Sequence, residues 1–195
     1  MKVIFLDIDG VLNSENHAKE LDRLAKEGKM SKREVCETWD LPYEGTLLPL
    51  KKIVDETGAK IVLSSCWRIN PANITKLNKI FEPYGFQIMD ITTTGGVTAT
   101  TLKKLGFDIS IAYDKSEMWN GKPAPLYTDD RGAQIALWLR KHPEVDSFVI
   151  LDDDCLDIDQ YYGKQHVWTD FYDWALTFEK AEQAIRILNG GKKDG

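Results

Sequence analysis

The chain has 195 residues, 43% apolar and 29% charged, an ordinary globular mixture that excludes a disordered, collagen-like or low-complexity polypeptide and suits one domain carrying insertions. With 25 Lys and Arg against 31 Asp and Glu the formal net charge is -6, which disfavours non-specific binding along a nucleic-acid duplex but allows a locally basic cleft. Three scattered cysteines (Cys36, Cys66, Cys155) and three histidines exclude a disulfide framework and a structural zinc site, so any metal should be hard and oxygen-bound.

In chain order, Lys2 to Leu6 is a short apolar run that stops at Asp7-Ile8-Asp9-Gly10, the pattern of a buried strand ending in a polar loop. The segment 14–43 is charged and helix-prone around Ala18 to Lys26. Leu47, Leu50, Ile53 and Val54 recur at helical spacing before a stop at Gly58. Lys60 to Leu63 is a second strand, ending at Ser64-Ser65-Cys66-Trp67-Arg68. Asn70-Pro71 supplies an N-cap and a first-turn proline for a helix through Ile74, Leu77, Ile80 and Phe81, closing near Gly85. The segment 91–127 is rich in Thr, Gly and Pro. Asp129 or Asp130 caps a helix with Ile135, Trp138 and Leu139 on one face. Ser147 to Leu151 is a third strand, ending at Asp152-Asp153-Asp154, and Phe178, Ala181, Ile185 and Leu188 mark the last helix.

Strands buried on both faces and separated by helices predict an α/β, Rossmann-like, mostly parallel sheet. With no internal repeat and no linker, 1–195 reads as one domain whose inserts at about 14–43 and 91–127 have the length of lids or binding loops. The longest apolar stretches fall far short of the ~20 residues of a membrane span, and Met1 leads straight into a strand with no signal pattern. The expectation is a cytoplasmic protein with no membrane contact and no obligate protein partner.

Ligands of open parallel sheets bind beyond the carboxyl ends of the strands. That rule gathers Asp7, Asp9, Ser64, Arg68, Asp152 and Asp153, and so many carboxylates cannot all stay ionised without a cation. Mg²⁺, which takes few carboxylates plus waters or a phosphate, fits best.

The ordered motifs Phe5-Leu6-Asp7-Ile8-Asp9-Gly10-Val11-Leu12-Asn13, Ile61-Val62-Leu63-Ser64 and Val149-Ile150-Leu151-Asp152-Asp153 resemble those of the haloacid dehalogenase (HAD) superfamily. The segments Ser64 to Arg68 and Arg131 to Leu139 are similar to those of HAD-like domains in bacterial RNA-repair proteins. The resemblance implies that Asp7 is the nucleophile and a metal ligand, and that Asp9 is general acid and base, lending its main-chain carbonyl to the metal. An Asp at position 9 implies a phosphatase or phosphomutase; dehalogenases and ATP-driven pumps of the superfamily lack it. Ser64 would donate to a phosphoryl oxygen. The resemblance also implies a Lys or Arg, the superfamily's third motif, that neutralises the nucleophile and phosphate; Arg131 is the choice, since a cation in a helix's first turn needs an anionic partner, and Lys122 is the alternative. Either Asp153 binds the metal with Asp157 in support, which we favour, or Asp152 does. Asp154 and Asp159 read as solvated.

Arg68 is assigned to clamping a phosphate, against a surface ion pair. Trp67 and Trp119 are assigned to a base or sugar, Trp138 and Trp168 to the core, and Cys66 and Cys155 to buried inert thiols. The expectation is a Mg²⁺-dependent phosphomonoesterase acting through an aspartyl-phosphate on a phosphorylated small molecule, nucleotide or nucleic-acid end. The rivals are a catalytically idle interaction module and a phosphoacceptor receiver, the latter opposed by Ser64-Ser65 where a receiver has a lone Asp.

Overall fold

The computed structural model describes residues 1–107, 118–119, 122–123, 127–128, 130–154 and 158–190. Strand β1 (Lys2–Leu6) leads into helices α1 (Glu15–Lys26), α2 (Lys32–Thr38) and α3 (Glu44–Thr57), then β2 (Lys60–Leu63), α4 (Pro71–Phe81) and β3 (Ile88–Ile91). Short elements follow: β4 (Val97–Thr98), α5 (Ala99–Lys104), β5 (Met118–Trp119), β6 (Lys122–Pro123) and β7 (Tyr127–Thr128). The chain continues through α6 (Arg131–Lys141), β8 (Ser147–Asp152), α7 (Ile158–Tyr162), β9 (His166–Trp168) and α8 (Phe178–Leu188). Five strands form one parallel sheet in the order β3-β2-β1-β8-β9, so the expected α/β, Rossmann-like architecture is found. The edge strands β3 and β9 were not predicted.

Alternation along the central strands decides the layers. Ile4 and Leu6 of β1, Ile61 and Leu63 of β2, and Val149 and Leu151 of β8 pack with Leu47, Leu50 and Ile53 of α3, Leu77 and Phe81 of α4, and Ile185 of α8. On the other face Val3, Phe5, Val62 and Ile150 meet Ile135 and Trp138 of α6 and Ile158 of α7. Phe5 meets the Trp138 ring edge to face at 5.3 Å. Residues one apart on a strand therefore serve opposite layers, which is why these strands read as continuous apolar runs.

Helix ends follow local chemistry. Asn70 caps α4 by accepting from the Ala72 N–H, with Pro71 in the first turn, and Gly58 closes α3 at a φ of 67°, a left-handed conformation that a Cβ would strain. The insert 14–43 folds as two helices, α1 capped by Ser14 and α2 by a Ser31–Glu34 capping box. It is tied back where Asn13 Nδ2 donates to the Asp40 carbonyl at 2.6 Å and the Glu15 N–H to the Phe171 carbonyl at 2.8 Å.

Three expectations are corrected. Trp168 is not in the core: it is the last residue of edge strand β9 and is 48% exposed, while His166 and Val167 before it are buried. Cys66 is exposed at the start of the turn after β2. Asp159 is not merely solvated: its Oδ1 accepts a hydrogen bond from His166 Nδ1 at 2.8 Å. Trp138 is buried as expected. Among the described residues no helix is long and apolar enough to cross a membrane.

Candidate active site

Asp7 follows the last residue of β1, its N–H donating to the Leu151 carbonyl of β8. The chain then turns sharply: the Ile8 carbonyl accepts from the N–H groups of Val11, Leu12 and Asn13. Gly10 takes a φ of 71° within this turn. A Cβ at Gly10 would lie 2.2 Å from Asp153 Oδ2, so glycine is needed twice, for the backbone conformation and for the approach of the β8 loop.

At the ends of β1 and β8, ligand atoms of Asp7, Asp152 and Asp153 lie within 4.8 Å of one another. Arg131, in the first turn of α6, bridges two of them: its Nη1 donates to Asp152 Oδ2 and lies 3.2 Å from Asp7 Oδ2. This supplies the anionic partner that an arginine at that end of a helix requires. Asp152 is fully buried and its second oxygen accepts the Asp154 N–H at 3.0 Å, whereas Asp153 is only half-buried.

The electrostatics follow from that crowding. Burial and the Asp7 charge push Asp152 up to about 7 and Asp153 up to about 6. Burial also raises Asp7, with Arg131, the Ser65 hydroxyl and the Ile8 N–H pulling the other way. Arg131 is opposed by its own burial, but Asp7 and Asp152 outweigh that and hold its pKa above the ordinary arginine range. A cation would relieve the repulsion that remains. Three carboxylates within reach of one ion, with no soft ligand among them, fit Mg²⁺.

Asp9 is exposed and is not one of the three clustered carboxylates. Its two oxygens accept from Asn13 Nδ2 at 2.8 Å and from Trp67 Nε1 at 3.0 Å. Asn13, to which the sequence reading gave no separate role, also accepts from the Gly10 N–H and thus fixes both the turn and the acid. Ser64 lies at the end of β2, its N–H on the Leu6 carbonyl. Its hydroxyl is buried without a hydrogen-bond partner among the described residues, as are those of Thr92 and Thr169.

Arg68 is placed differently from both sequence readings. It is 6% exposed, and its five N–H groups are all spoken for: Nη1 donates to the carbonyls of Ser64 and Ser65, Nη2 to the Thr93 carbonyl and Gln134 Oε1, and Nε to Thr93. A guanidinium has five donors and no more. Arg68 therefore locks the loop after β2 to α6 and the start of the second insert, and it is neither a surface ion pair nor a free phosphate clamp. Gln134, buried on α6, went unread because an amide within an apolar helical pattern carries no signal until its partner is known.

Of the remaining expectations, Lys122 and Trp119 are described only as backbone in the short pair β5–β6, and Asp157, Cys155 and Asp129 lie outside the described residues. The exposed Trp168 returns to the site from its edge strand, where its Nε1 donates to the Asp153 carbonyl at 2.8 Å.

Comparison with known proteins adds one match. Residues 3–181 match the family described as the HAD domain in Swiss Army Knife RNA repair proteins. No curated protein and no solved structure matches the chain.

Proposed function

The chain belongs to the family of HAD domains in Swiss Army Knife RNA repair proteins, and on that premise we propose that it is a Mg²⁺-dependent phosphomonoesterase acting through an aspartyl-phosphate on Asp7. The family supports a HAD-type phosphohydrolase in general terms. The observation that carries the finer reading is Arg131 bridging Asp7 and Asp152 beside Asp153, which leaves a nucleophile neutralised enough to receive an anionic phosphoryl group.

Asp7 attacks phosphorus through one carboxylate oxygen, the bond to the leaving oxygen breaks, and a proton carried by Asp9 passes to that oxygen. In the second half Asp9 takes a proton from water, the water oxygen bonds to phosphorus, and the acyl-phosphate bond breaks to return Asp7 and inorganic phosphate. Ser64 donates its hydroxyl, unpartnered among the described residues, to a phosphoryl oxygen. Arg131 stabilises charge on Asp7 and on the phosphoryl group. Mg²⁺ held by Asp7, Asp153 and the Asp9 carbonyl would supply further neutralisation of the phosphoryl oxygens. We favour Asp153 over Asp152 because both oxygens of Asp152 already accept hydrogen bonds.

The test is phosphate release from a panel of phosphomonoesters with Mg²⁺, for wild type and Asp7→Asn. Wild type should turn over and the near-isosteric amide should not, with its fold unchanged by circular dichroism. Turnover by Asp7→Asn within a few-fold of wild type would rule out the covalent route, and absence of turnover by wild type across the panel would favour the idle interaction module.

A further inference from the structure

A cavity of about 470 Å³ opens beside Asp9, and the mechanism above does not use it. Its walls come from separate parts of the chain: Asp9 from the first turn, Trp39 from the end of α2 in the first insert, and Trp67, Asn73 and Lys76 from the β2 loop and α4. Phe171, beyond β9, completes it. Asn13 and Asp40 line it as well, so three aromatic rings and one lysine share the space with two carboxylates. The volume lies within the roughly 300–1,000 Å³ of small-molecule sites.

Its position gives it a chemical meaning. The acid that protonates a leaving oxygen stands on the leaving-group side of the phosphorus, so a cavity with Asp9 in its wall is where the alcohol half of the ester lies. Trp67 serves twice there, lining the space and donating its indole N–H to Asp9. Trp39 is 48% exposed although it is a large apolar ring, a waste of burial unless something flat covers it. Aromatic rings and an indole edge recognise a planar heterocycle by stacking, irrespective of its identity, and Lys76 provides the charge that meets a phosphate.

We propose that this cavity is the leaving-group site and takes the nucleoside of a phosphorylated nucleotide, stacked against Trp39 and Trp67 with Lys76 facing an adjoining phosphate. The proposal rests on the phosphomonoesterase reading for its orientation and deepens it by naming the substrate class. A free mononucleotide and the end of a nucleic-acid strand share this chemistry. Because Trp39 and Asp40 belong to the insert tied down through Asn13, the insert sets the substrate preference while the residues at the strand ends carry out the reaction.

The experiment measures kcat/KM for adenosine 3′- and 5′-monophosphate, short oligonucleotides bearing a 3′- or 5′-phosphate, and glycerol 2-phosphate, which has no ring to stack. The wild type should prefer its best nucleoside ester, and in Trp39→Ala the ratio of that ester to glycerol 2-phosphate should fall about tenfold, within the range for losing one stacking partner. An unchanged ratio, or a wild-type preference for glycerol 2-phosphate, overturns the proposal. Calorimetric titration of Asp7→Asn with the adenosine monophosphates separates the two readings. Binding that weakens about tenfold on adding Trp39→Ala supports the cavity even if no ester is hydrolysed, and no binding in a chain without turnover overturns it. An oligonucleotide preference removed by Lys76→Gln identifies a strand end as the source, and equal use of mononucleotides identifies the free nucleotide.

Discussion

Replacing Arg68 by methionine keeps the apolar stem and removes all five donors, leaving the carbonyls of Ser64, Ser65 and Thr93 and the amide oxygen of Gln134 to find new partners. Each buried acceptor left unpaired costs about 1–3 kcal/mol. If water reaches half of these four, about 2–6 kcal/mol of stability is lost, offset in part because a buried guanidinium no longer has to be desolvated. Burial and the charge of Arg131 already lower the Arg68 pKa, so the cation itself is under strain in this position. We expect a net loss of about 3 kcal/mol, read as a lowered urea midpoint with an unchanged slope. Because the loop that moves carries Ser64, kcat/KM should fall by a similar factor on p-nitrophenyl phosphate and on a phosphorylated oligonucleotide. A stability change below about 0.5 kcal/mol, together with a KM increase confined to the oligonucleotide, would show that Arg68 swings out to hold a flanking phosphate and that the internal network is dispensable.

Arg131→Met leaves the buried Asp7 and Asp152 without their cation and should cost about 3–5 kcal/mol in chemical denaturation. Arg131→Lys should recover much of that stability but little activity, and equal stability of the two variants would show that the bridge is not electrostatic. In chelator, the raised Asp152 and Asp153 groups bind more protons in the folded than in the unfolded chain between the ordinary carboxylate range and about pH 7. Their contribution to stability therefore falls as pH rises through that window. His17, whose pKa burial lowers, contributes the opposite slope. Since Mg²⁺ on Asp153 competes with its proton, the rise in Tm on adding it should be larger at pH 7.5 than at pH 5.5, and an equal rise at both would argue against Asp153 as a ligand. Gly10→Ala places a Cβ 2.2 Å from Asp153 Oδ2 at a φ of 71°. It should lower stability by about 1–2 kcal/mol from the left-handed backbone alone and should also weaken the Mg²⁺-dependent rise in Tm, which an innocuous turn position would leave unchanged.

The sequence alone determined the three central strands, because residues buried on both faces of a parallel sheet write an uninterrupted apolar run that ends where polar chemistry begins. It also determined the helix ends at Asn70-Pro71 and Gly58, where cap and backbone conformation are properties of one or two adjacent residues. The order of acidic motifs located the acidic cluster of Asp7, Asp152 and Asp153 for the same reason, each motif sitting at the end of its own strand. The edge strands β3 and β9 were not legible: four and three residues long, they are strands only because a neighbour offers them a ladder. Tertiary structure decided the rest through partners remote in sequence. Arg68 turns inward because Gln134 of α6 meets it 66 residues later, and Trp168 is left exposed at the end of β9 after two buried residues. Asp152 separates from Asp153 only when Arg131 and the Asp154 N–H occupy one of two adjacent, chemically identical carboxylates. Identity and spacing give the same signal for a side chain that faces a ligand and for one that faces the core, and the difference lies in which distant atoms the fold brings within about 3 Å of it.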